Sequence, residues 1–212
     1  MKMYKKVMAA ALAGVMTVSM SATAFAADDD GYILKATNED SKSSDNDLVI
    51  AIEGSVSSMD PANIPDTNAI SATRGVYETL VSFDENQELT GKLAESWEVS
   101  DDSLTYTFKL RQGVKFQDGT DFNAAAVKAN YDRVVNKDNN LRQRRTFIVT
   151  NEDGSETPRV DSIETPDDYT LVIKLTQAWA PFINRLTQFC IISPAALEEY
   201  GNDIMNLSLI HI

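Results

Sequence analysis

The chain has 212 residues, of which 43% are hydrophobic and 24% are charged. This is the composition of an ordinary globular protein, large enough for one medium domain or two small ones. The formal net charge of −13 argues against binding to nucleic acid or to an anionic membrane surface through bulk charge.

The first 26 residues carry the pattern of a secretory signal peptide. Three lysines lie near the start, an apolar stretch covers about residues 7–18, and residues 24–26 form an A-x-A cleavage motif. We expect export, with cleavage near Ala26. Because no cysteine follows the apolar stretch to carry a lipid, we expect a freely diffusing periplasmic protein. A membrane anchor is the alternative, since residues 7–27 are nearly uncharged and about long enough to span a bilayer.

Residues 27–47 are predicted to form a flexible acidic leader, because they contain too few large apolar side chains to offset the entropy lost on ordering. Ordered structure is predicted to begin at residues 48–52, with the sequence LVIAI. A continuous apolar run of this kind is typical of a strand buried on both faces of a mainly parallel sheet.

The loop after this predicted strand is our candidate for ligand contact. Loops that leave the ends of buried strands are where α/β folds place their ligands, and this loop offers hydroxyl groups and backbone amides. A solvent-facing loop without a binding role is the alternative. The candidate ligand-binding residues are Ser55, Val56, Ser57, Ser58 and Met59.

Hydrophobic spacing then predicts a helix followed by strands. Apolar residues recur at roughly helical spacing in residues 69–80. Apolar and polar residues alternate in residues 97–100 and 105–111, which predicts a β-hairpin with one buried face. Residues 114–116 add a short strand that runs into a tight turn at residues 118–119.

Helix-capping signals mark the next elements. Asn123 is predicted to cap a helix that begins at Ala124. Val127, Tyr131 and Val134 are predicted to lie on one face of this helix. Residues 136–157 are polar and are interpreted as a long surface connection or an irregular helix. This segment contains three arginines that could face an anionic ligand, although a solvated surface is the favoured interpretation. They are Arg142, Arg144 and Arg145.

The last predicted elements are a strand and two helices. Residues 169–175 alternate as a strand does, and Pro181 opens a short helix that runs through Leu186. Ser193 as cap, Pro194 at the first helical position and Gly201 after the end together predict a compact helix.

Few residues favour catalysis or metal binding. Cys190 is the only cysteine, which excludes an intrachain disulfide, and its apolar neighbours indicate a small buried hydrophobic residue rather than a nucleophile. The only histidine is His211. His211 lies in residues 207–212, which are interpreted below as a non-native tail. Without it there is no Ser–His or Cys–His pair and no ligand cluster for zinc.

Two carboxylate pairs are the remaining chemical candidates. They could serve as acid–base pairs or as calcium ligands, but both lie in turns, where Asp is favoured for local hydrogen bonds. We therefore predict no enzyme activity, no cofactor and no metal site, with a secreted hydrolase as the alternative. The pairs are Asp118 with Asp121 and Asp101 with Asp102.

The sequence also resembles a known family. The segments LAESWEVSDD at residues 93–102, LTYTFKLR at 104–111 and GVKF at 113–116 resemble the signature of family 5 bacterial solute-binding proteins, the peptide, nickel and glutathione receptors of ABC importers. The resemblance extends from about residue 48 to Gly201. Residues 116–130 are particularly similar to the glutathione-binding subgroup, since many other relatives have His where Gln117 stands.

The resemblance implies an α/β fold of the periplasmic-binding-protein type, in the type II, three-region form of peptide receptors, of which this chain is the N-terminal portion. In that form two lobes close over the ligand and a smaller additional domain packs beside one lobe. Residues 48–77 would then begin the first ligand lobe, residues 78–190 would form the additional domain, and residues 191–206 would return to the first lobe. The second lobe is expected downstream.

Residues 207–212, LSLIHI, match one reading frame of a transposase adapter used in DNA sequencing libraries, and we interpret them as a non-native tail. A genuine buried strand is the alternative.

The function that the resemblance implies is capture of glutathione or short peptides outside the cytoplasmic membrane and delivery to the permease subunits of an ABC importer. The receptor is expected to be a monomer. A receptor for nickel or another solute of the same family is the alternative within the family.

Overall fold

The computed structural model describes Val56 and residues 58–201, and every structural statement below concerns this part of the chain. The predicted signal peptide, the leader, the strand at residues 48–52, two of the five candidate loop residues and the predicted tail at residues 207–212 lie outside the described residues.

The described chain contains both helices and strands, with runs of strands separated by helices. The helices are α1 (Thr67–Arg74), α2 (Ala124–Val135), α3 (Arg144–Phe147), α4 (Phe182–Arg185) and α5 (Pro194–Tyr200), with 3-10 turns at Lys137–Asn139 and Leu186–Gln188. The strands are β1 (Glu78–Thr79), β2 (Val81–Phe83), β3 (Leu89–Gly91), β4 (Ala94–Val99), β5 (Thr105–Leu110), β6 (Ile148–Thr150), β7 (Glu156–Pro158), β8 (Val160–Asp167), β9 (Thr170–Leu175) and β10 (Cys190–Ile191).

The largest sheet is antiparallel and has the strand order β4-β5-β9-β8. Three further pairs, β1 with β10, β2 with β3 and β6 with β7, are also antiparallel. The predicted hairpin is confirmed as β4 and β5, in which Trp97 pairs with Phe108. The predicted strand at residues 169–175 is confirmed as β9, where Leu171 pairs with Phe108.

The core lies on one face of this sheet, and strand alternation decides which side chains enter it. In β5, Tyr106, Phe108 and Leu110 are buried while the residues between them are more exposed. Tyr106 meets Phe182 of α4 in an edge-to-face contact with ring centroids 4.8 Å apart. Aromatic pairs favour this arrangement because the positive ring edge meets the negative ring face.

Helix α2 packs against the core through the face that the sequence predicts. Asn123 caps the helix, and its Oδ1 accepts a hydrogen bond from the Ala126 amide at 2.9 Å. Val127 and Val134 are fully buried. Tyr131 is half-buried and makes an edge-to-face contact with Phe147, with centroids 5.3 Å apart. The predicted cap and apolar face are therefore confirmed.

The helix predicted over residues 69–80 is wrong in its second half. Asp66 caps α1 by accepting from the Ala69 amide at 2.9 Å, but the helix ends at Arg74 and Gly75 follows as its C-cap. Leu80, which the helical pattern included, is buried beside the short strands that come next. A glycine lowers helix stability because it has more backbone freedom to lose, so the chain leaves the helix there.

The segment at residues 136–157 is more ordered than the predicted surface connection. Leu141 and Phe147 are buried in the core, and residues 148–158 form the β6–β7 hairpin. Strand β8 was not predicted, and the short strand at residues 114–116 is reduced to a single bridge between Lys115 and Asp121. Strand β8, with the sequence VDSIETPD, contains few apolar side chains and includes Pro166, so its local signal is weak although it pairs with β9, the next strand along the chain.

The remaining predicted helices agree with the structure. Pro181 precedes α4, which continues as the 3-10 turn at Leu186–Gln188. Ser193, Pro194 and Gly201 bracket α5 as expected. In the part of the chain that the structure describes, no helix combines the length and the apolar character needed to cross a membrane.

Candidate ligand-binding site

The five candidate loop residues divide into three groups. Val56 is 36% exposed, whereas Ser58 and Met59 are 7% and 9% exposed. Ser55 and Ser57 lie outside the described residues. The described end of the loop therefore turns from an exposed position at Val56 into the protein at Met59, and the assignment of these residues to a ligand stays a prediction.

A tight turn follows the candidate residues and is closed by short-range hydrogen bonds. Ser58 Oγ accepts from the Asp60 amide at 3.2 Å, and Asp60 Oδ1 accepts from the Ala62 amide at 2.9 Å. The Asn63 amide donates to the Asp60 carbonyl at 3.0 Å. Asp side chains commonly stabilise turns by accepting from amides two residues on. Local chemistry therefore orders the backbone from Ser58 to Asn63.

A buried ion pair ties this turn to helix α2. Arg133 Nη2 lies 2.6 Å from Asp60 Oδ2, and Nη1 donates to Oδ1 at 3.3 Å. The Arg133 and Asp60 side chains are only 9% and 4% exposed. Arginine presents parallel N–H groups that match both carboxylate oxygens, so the contact fixes orientation as well as distance.

The same side of α2 also binds the chain at Ile192, just before α5. Asn130 lies three residues before Arg133, which places both side chains on neighbouring positions of the helix surface. Asn130 Nδ2 donates to the Ile192 carbonyl at 2.7 Å, and its Oδ1 accepts from the Ile192 amide at 3.0 Å. Helix α2 therefore joins the turn at Asp60 to the chain entering α5.

The electrostatic surroundings of the pair affect Tyr77. Burial, and then the negative charge of the nearby Asp60, raise the pKa of Tyr77 to about 12. The Arg133 guanidinium acts in the opposite direction. Tyr77 is therefore neutral at physiological pH and adds no charge beside the ion pair.

An open groove of about 290 Å³ is lined in part by Arg133. Arg133 contributes the positive group of its lining and Glu198 an acidic one. Mixed charge of this kind does not favour one ligand class. The remaining lining residues are Ala129, Asn139, Pro194, Leu197 and Gly201.

The predicted arginine cluster divides in the structure. Arg144 binds Glu156 through two contacts, with Nη1–Oε1 at 2.6 Å and Nη2–Oε2 at 2.7 Å. The hydrogen bonds from Arg144 lower the pKa of Glu156 below its usual value. Arg142 and Arg145 are exposed. Since Arg144 already binds a carboxylate of the β6–β7 hairpin, the three arginines do not converge on one anion.

The first carboxylate pair, Asp118 and Asp121, has structural partners. Partial burial alone would raise the pKa of Asp118, but hydrogen bonds from Ser193 and Thr120 hold it below its usual value. The Ser193 hydroxyl thereby connects this turn to the cap of α5. Asp121 pairs with Lys115 at 2.5 Å. Each carboxylate is therefore held by partners of its own.

Asp102 of the second pair and Cys190 also have structural explanations. The Ser100 hydroxyl donates to Asp102, and this bond lowers the pKa of that carboxyl group. Burial raises the pKa of the Cys190 thiol to about 11, which keeps it protonated at neutral pH and unreactive as a nucleophile. Within the described residues, no three side chains of His, Cys, Asp or Glu are grouped to hold a metal ion.

Sequence reasoning missed the two residues that anchor the loop. In the sequence, Asp60 is only the residue that follows the candidate loop, and Arg133 is one of several charged residues on a predicted helix. They are 73 residues apart in the sequence. The one available signal is Asp60 before Pro61, because Asp–Pro marks a turn. Nothing local identifies the partner.

Comparison with known proteins gives the family. The profile described as "Bacterial extracellular solute-binding proteins, family 5 Middle" matches residues 88–207. The chain belongs to the family 5 bacterial extracellular solute-binding proteins. The resemblance seen in the sequence is thereby confirmed.

A curated relative within family 5 is the glutathione-binding protein GsiB of Shigella dysenteriae. It is 38% identical over 193 residues, a match that covers 90% of this chain and 32% of GsiB. The chain thus spans about a third of the length of the curated relatives that it matches. Gln117, which carried part of the resemblance to the glutathione-binding subgroup, donates to the Val76 carbonyl at 2.7 Å.

Solved structures support the same fold. The binding protein AgaA from A. tumefaciens R10, in complex with agropinic acid, has a TM-score of 0.63 and 29% identity, covering 72% of this chain and 29% of AgaA. The periplasmic binding protein DppA from Helicobacter pylori, in complex with the peptide STSA, has a TM-score of 0.55 and 30% identity, covering 72% and 32%. The predicted fold class of periplasmic-binding-protein type is confirmed.

Proposed function

We propose that this chain is part of the substrate-binding component of an ABC importer, which captures glutathione or short peptides outside the cytoplasmic membrane and delivers them to the permease. The observation that carries the proposal is the 38% identity to a glutathione-binding protein over 90% of the chain. This chain is also similar to a solved binding protein in complex with a peptide, at 30% identity, which supports the same ligand class.

The chemistry of such ligands sets what the site must provide. A short peptide has charged ends and amides that lose water in a closed cleft, and each lost hydrogen bond must be replaced. The loop with the candidate residues Ser55, Val56, Ser57, Ser58 and Met59 supplies backbone amides and hydroxyl groups for one wall. Closure of a second lobe would supply the rest and create the shape that the permease binds.

The domain assignment remains part of the proposal. Residues 48–77 begin the first ligand lobe, residues 78–190 form the additional domain, and residues 191–206 return to the first lobe. In this assignment the additional domain is tied to both parts of the first lobe, because Arg133 binds Asp60 and Asn130 binds the backbone of Ile192. The protein acts as a monomer that binds its ligand without a catalytic step, a cofactor or a metal.

Calorimetry on the purified receptor, expressed from its native gene, tests the function. We expect micromolar or tighter binding of glutathione or of a tripeptide, with the ligand recovered intact by mass spectrometry. Binding only of a nickel–histidine complex would assign the receptor to the nickel branch instead. Cleavage of the peptide during incubation would favour the secreted hydrolase and overturn the proposal.

Export is a separate part of the proposal and has its own test. The basic start, apolar stretch and A-x-A motif of residues 1–26 support removal near Ala26. Intact-mass measurement on periplasmic protein should give a chain that begins near residue 27. A retained N-terminus would favour the membrane anchor.

A further inference from the structure

The ion pair between Asp60 and Arg133 stands apart from the other ion pairs of the described residues. Both of its side chains are less than a tenth exposed, at 4% and 9%. The next least exposed pair, Arg144 with Glu156, is 18% and 29% exposed. The remaining pairs within residues 58–201 are still more exposed.

Stability alone does not explain such a pair. Moving two charges out of water costs about as much as their attraction returns, and apolar replacements of similar volume are often equally stable. Arg133 Nε is also buried, with no hydrogen-bond partner among the residues that the structure describes. A buried donor without a partner costs free energy. The pair is therefore better explained by the geometry that it imposes.

That geometry reaches the loop through Asp60. Its Oδ1 accepts from both Arg133 Nη1 and the Ala62 amide, and its own amide donates to Ser58 Oγ. Moving the Asp60 carboxylate would break the contacts of Oδ1 with Arg133 and Ala62 together, and it would loosen the backbone of Asp60, whose amide binds Ser58. Because α2 is capped at Asn123 and packed in the core, Arg133 holds the turn against a rigid support.

We propose that Arg133 is a positioning residue for ligand binding: through Asp60 it fixes Ser58 and Met59 at the described end of the candidate loop. Arg133 acts through Asp60 and does not contact the ligand itself. The inference rests on the proposed function, because it assigns the loop to the ligand.

The test compares two Arg→Lys variants of the receptor expressed from its native gene. Arg133→Lys keeps the positive charge but loses the bidentate hydrogen bonds to the Asp60 carboxylate. Arg144→Lys makes the same change at Glu156, on the β6–β7 hairpin. Two readouts are needed, which are the affinity for glutathione by calorimetry and the hydrogen exchange of amides in residues 58–63.

We expect Arg133→Lys to speed amide exchange in residues 58–63 and to weaken glutathione binding about tenfold. Arg144→Lys should leave both within about twofold of the unsubstituted receptor, because its partner lies outside the loop. Faster exchange with unchanged affinity in Arg133→Lys would overturn the positioning role. Equal losses of affinity in both variants would also overturn it.

A neutral double variant covers the case in which Arg133→Lys fails to fold. Asp60→Asn with Arg133→Gln removes both charges, so no unpaired buried charge is left. We expect a folded receptor with weakened binding, and unchanged affinity would overturn the inference. If the unsubstituted receptor binds neither glutathione nor a tripeptide, the proposed function fails; exchange in residues 58–63 then decides separately whether Arg133 orders the turn.

Discussion

Asn130 binds the backbone of Ile192 through both polar atoms of its side-chain amide. Its Nδ2 donates to the Ile192 carbonyl at 2.7 Å, and its Oδ1 accepts from the Ile192 backbone amide at 3.0 Å. The two residues are 62 positions apart, and both are buried. A side-chain amide can replace a strand partner in this way because it carries a donor and an acceptor side by side. This contact joins α2 to the segment that leads into α5.

We expect Asn130→Ala to lower the free energy of unfolding by about 1–3 kcal/mol, because the buried backbone groups of Ile192 lose their partner. Urea denaturation measures the change. Asn151→Ala is the matched control, since Asn151 is exposed and bonds only within its own hairpin. The control should lose no more than about 0.5 kcal/mol. Equal losses in the two variants would contradict the role given to Asn130.

Gly91 in β3 is expected to tolerate no side chain. A Cβ at this position would overlap the Ala94 carbonyl oxygen, which is backbone and cannot turn away. Gly91→Ala should therefore cost about 1–3 kcal/mol or more in urea denaturation. Gly75→Ala is the control, because the nearest atom to its added Cβ is 3.7 Å away. It should be neutral or slightly stabilising, and a larger loss than in Gly91→Ala would refute the explanation.

Phe108 and Phe83 provide a matched pair for the core. Phe108 is fully buried, whereas Phe83 is 44% exposed. We expect Phe108→Ala to reduce the free energy of unfolding by about 3–5 kcal/mol, through lost burial and the cavity left behind. Phe83→Ala should cost about 1 kcal/mol or less. The two thermal unfolding midpoints should differ clearly, and similar midpoints would place the core elsewhere.

Alkaline pH should destabilise the fold through Tyr77. Its pKa is raised from 10.0 to about 12, so the folded protein keeps a proton that the unfolded chain releases. This contribution is fully present below pH 10 and is lost as the pH rises through 12. Tyr131 and Cys190 act in the same direction, with pKa values raised to about 12 and about 11.

The variant Tyr77→Phe removes one of these protons, so its free energy of unfolding should fall less steeply between pH 10 and 12 than that of the unsubstituted protein. Urea denaturation across this range measures both slopes, and measurements between pH 7 and 9 provide the baseline. Parallel curves from pH 7 to 12 would show that Tyr77 does not titrate differently on folding.

The sequence alone determined the elements whose signals lie within a few residues. Asn123 predicts the start of α2 because its side chain caps an amide three residues on, and Ser193 with Pro194 predicts α5 in the same way. Strand β5 is predictable because alternation places Tyr106 and Phe108 on one face. The family resemblance likewise needed only contiguous segments.

The tertiary structure alone decided how distant residues meet. Arg133 and Asp60 are ordinary charged residues in the sequence, and only the packing of α2 brings them to 2.6 Å in a buried position. The order of the main sheet was also decided by distant contacts, because β5 pairs with β9, which lies far along the chain. Local patterns encode caps and periodicity because their partners are neighbours in the chain. Ion pairs between distant segments depend on the whole fold, and they decide which polar residues support the candidate site.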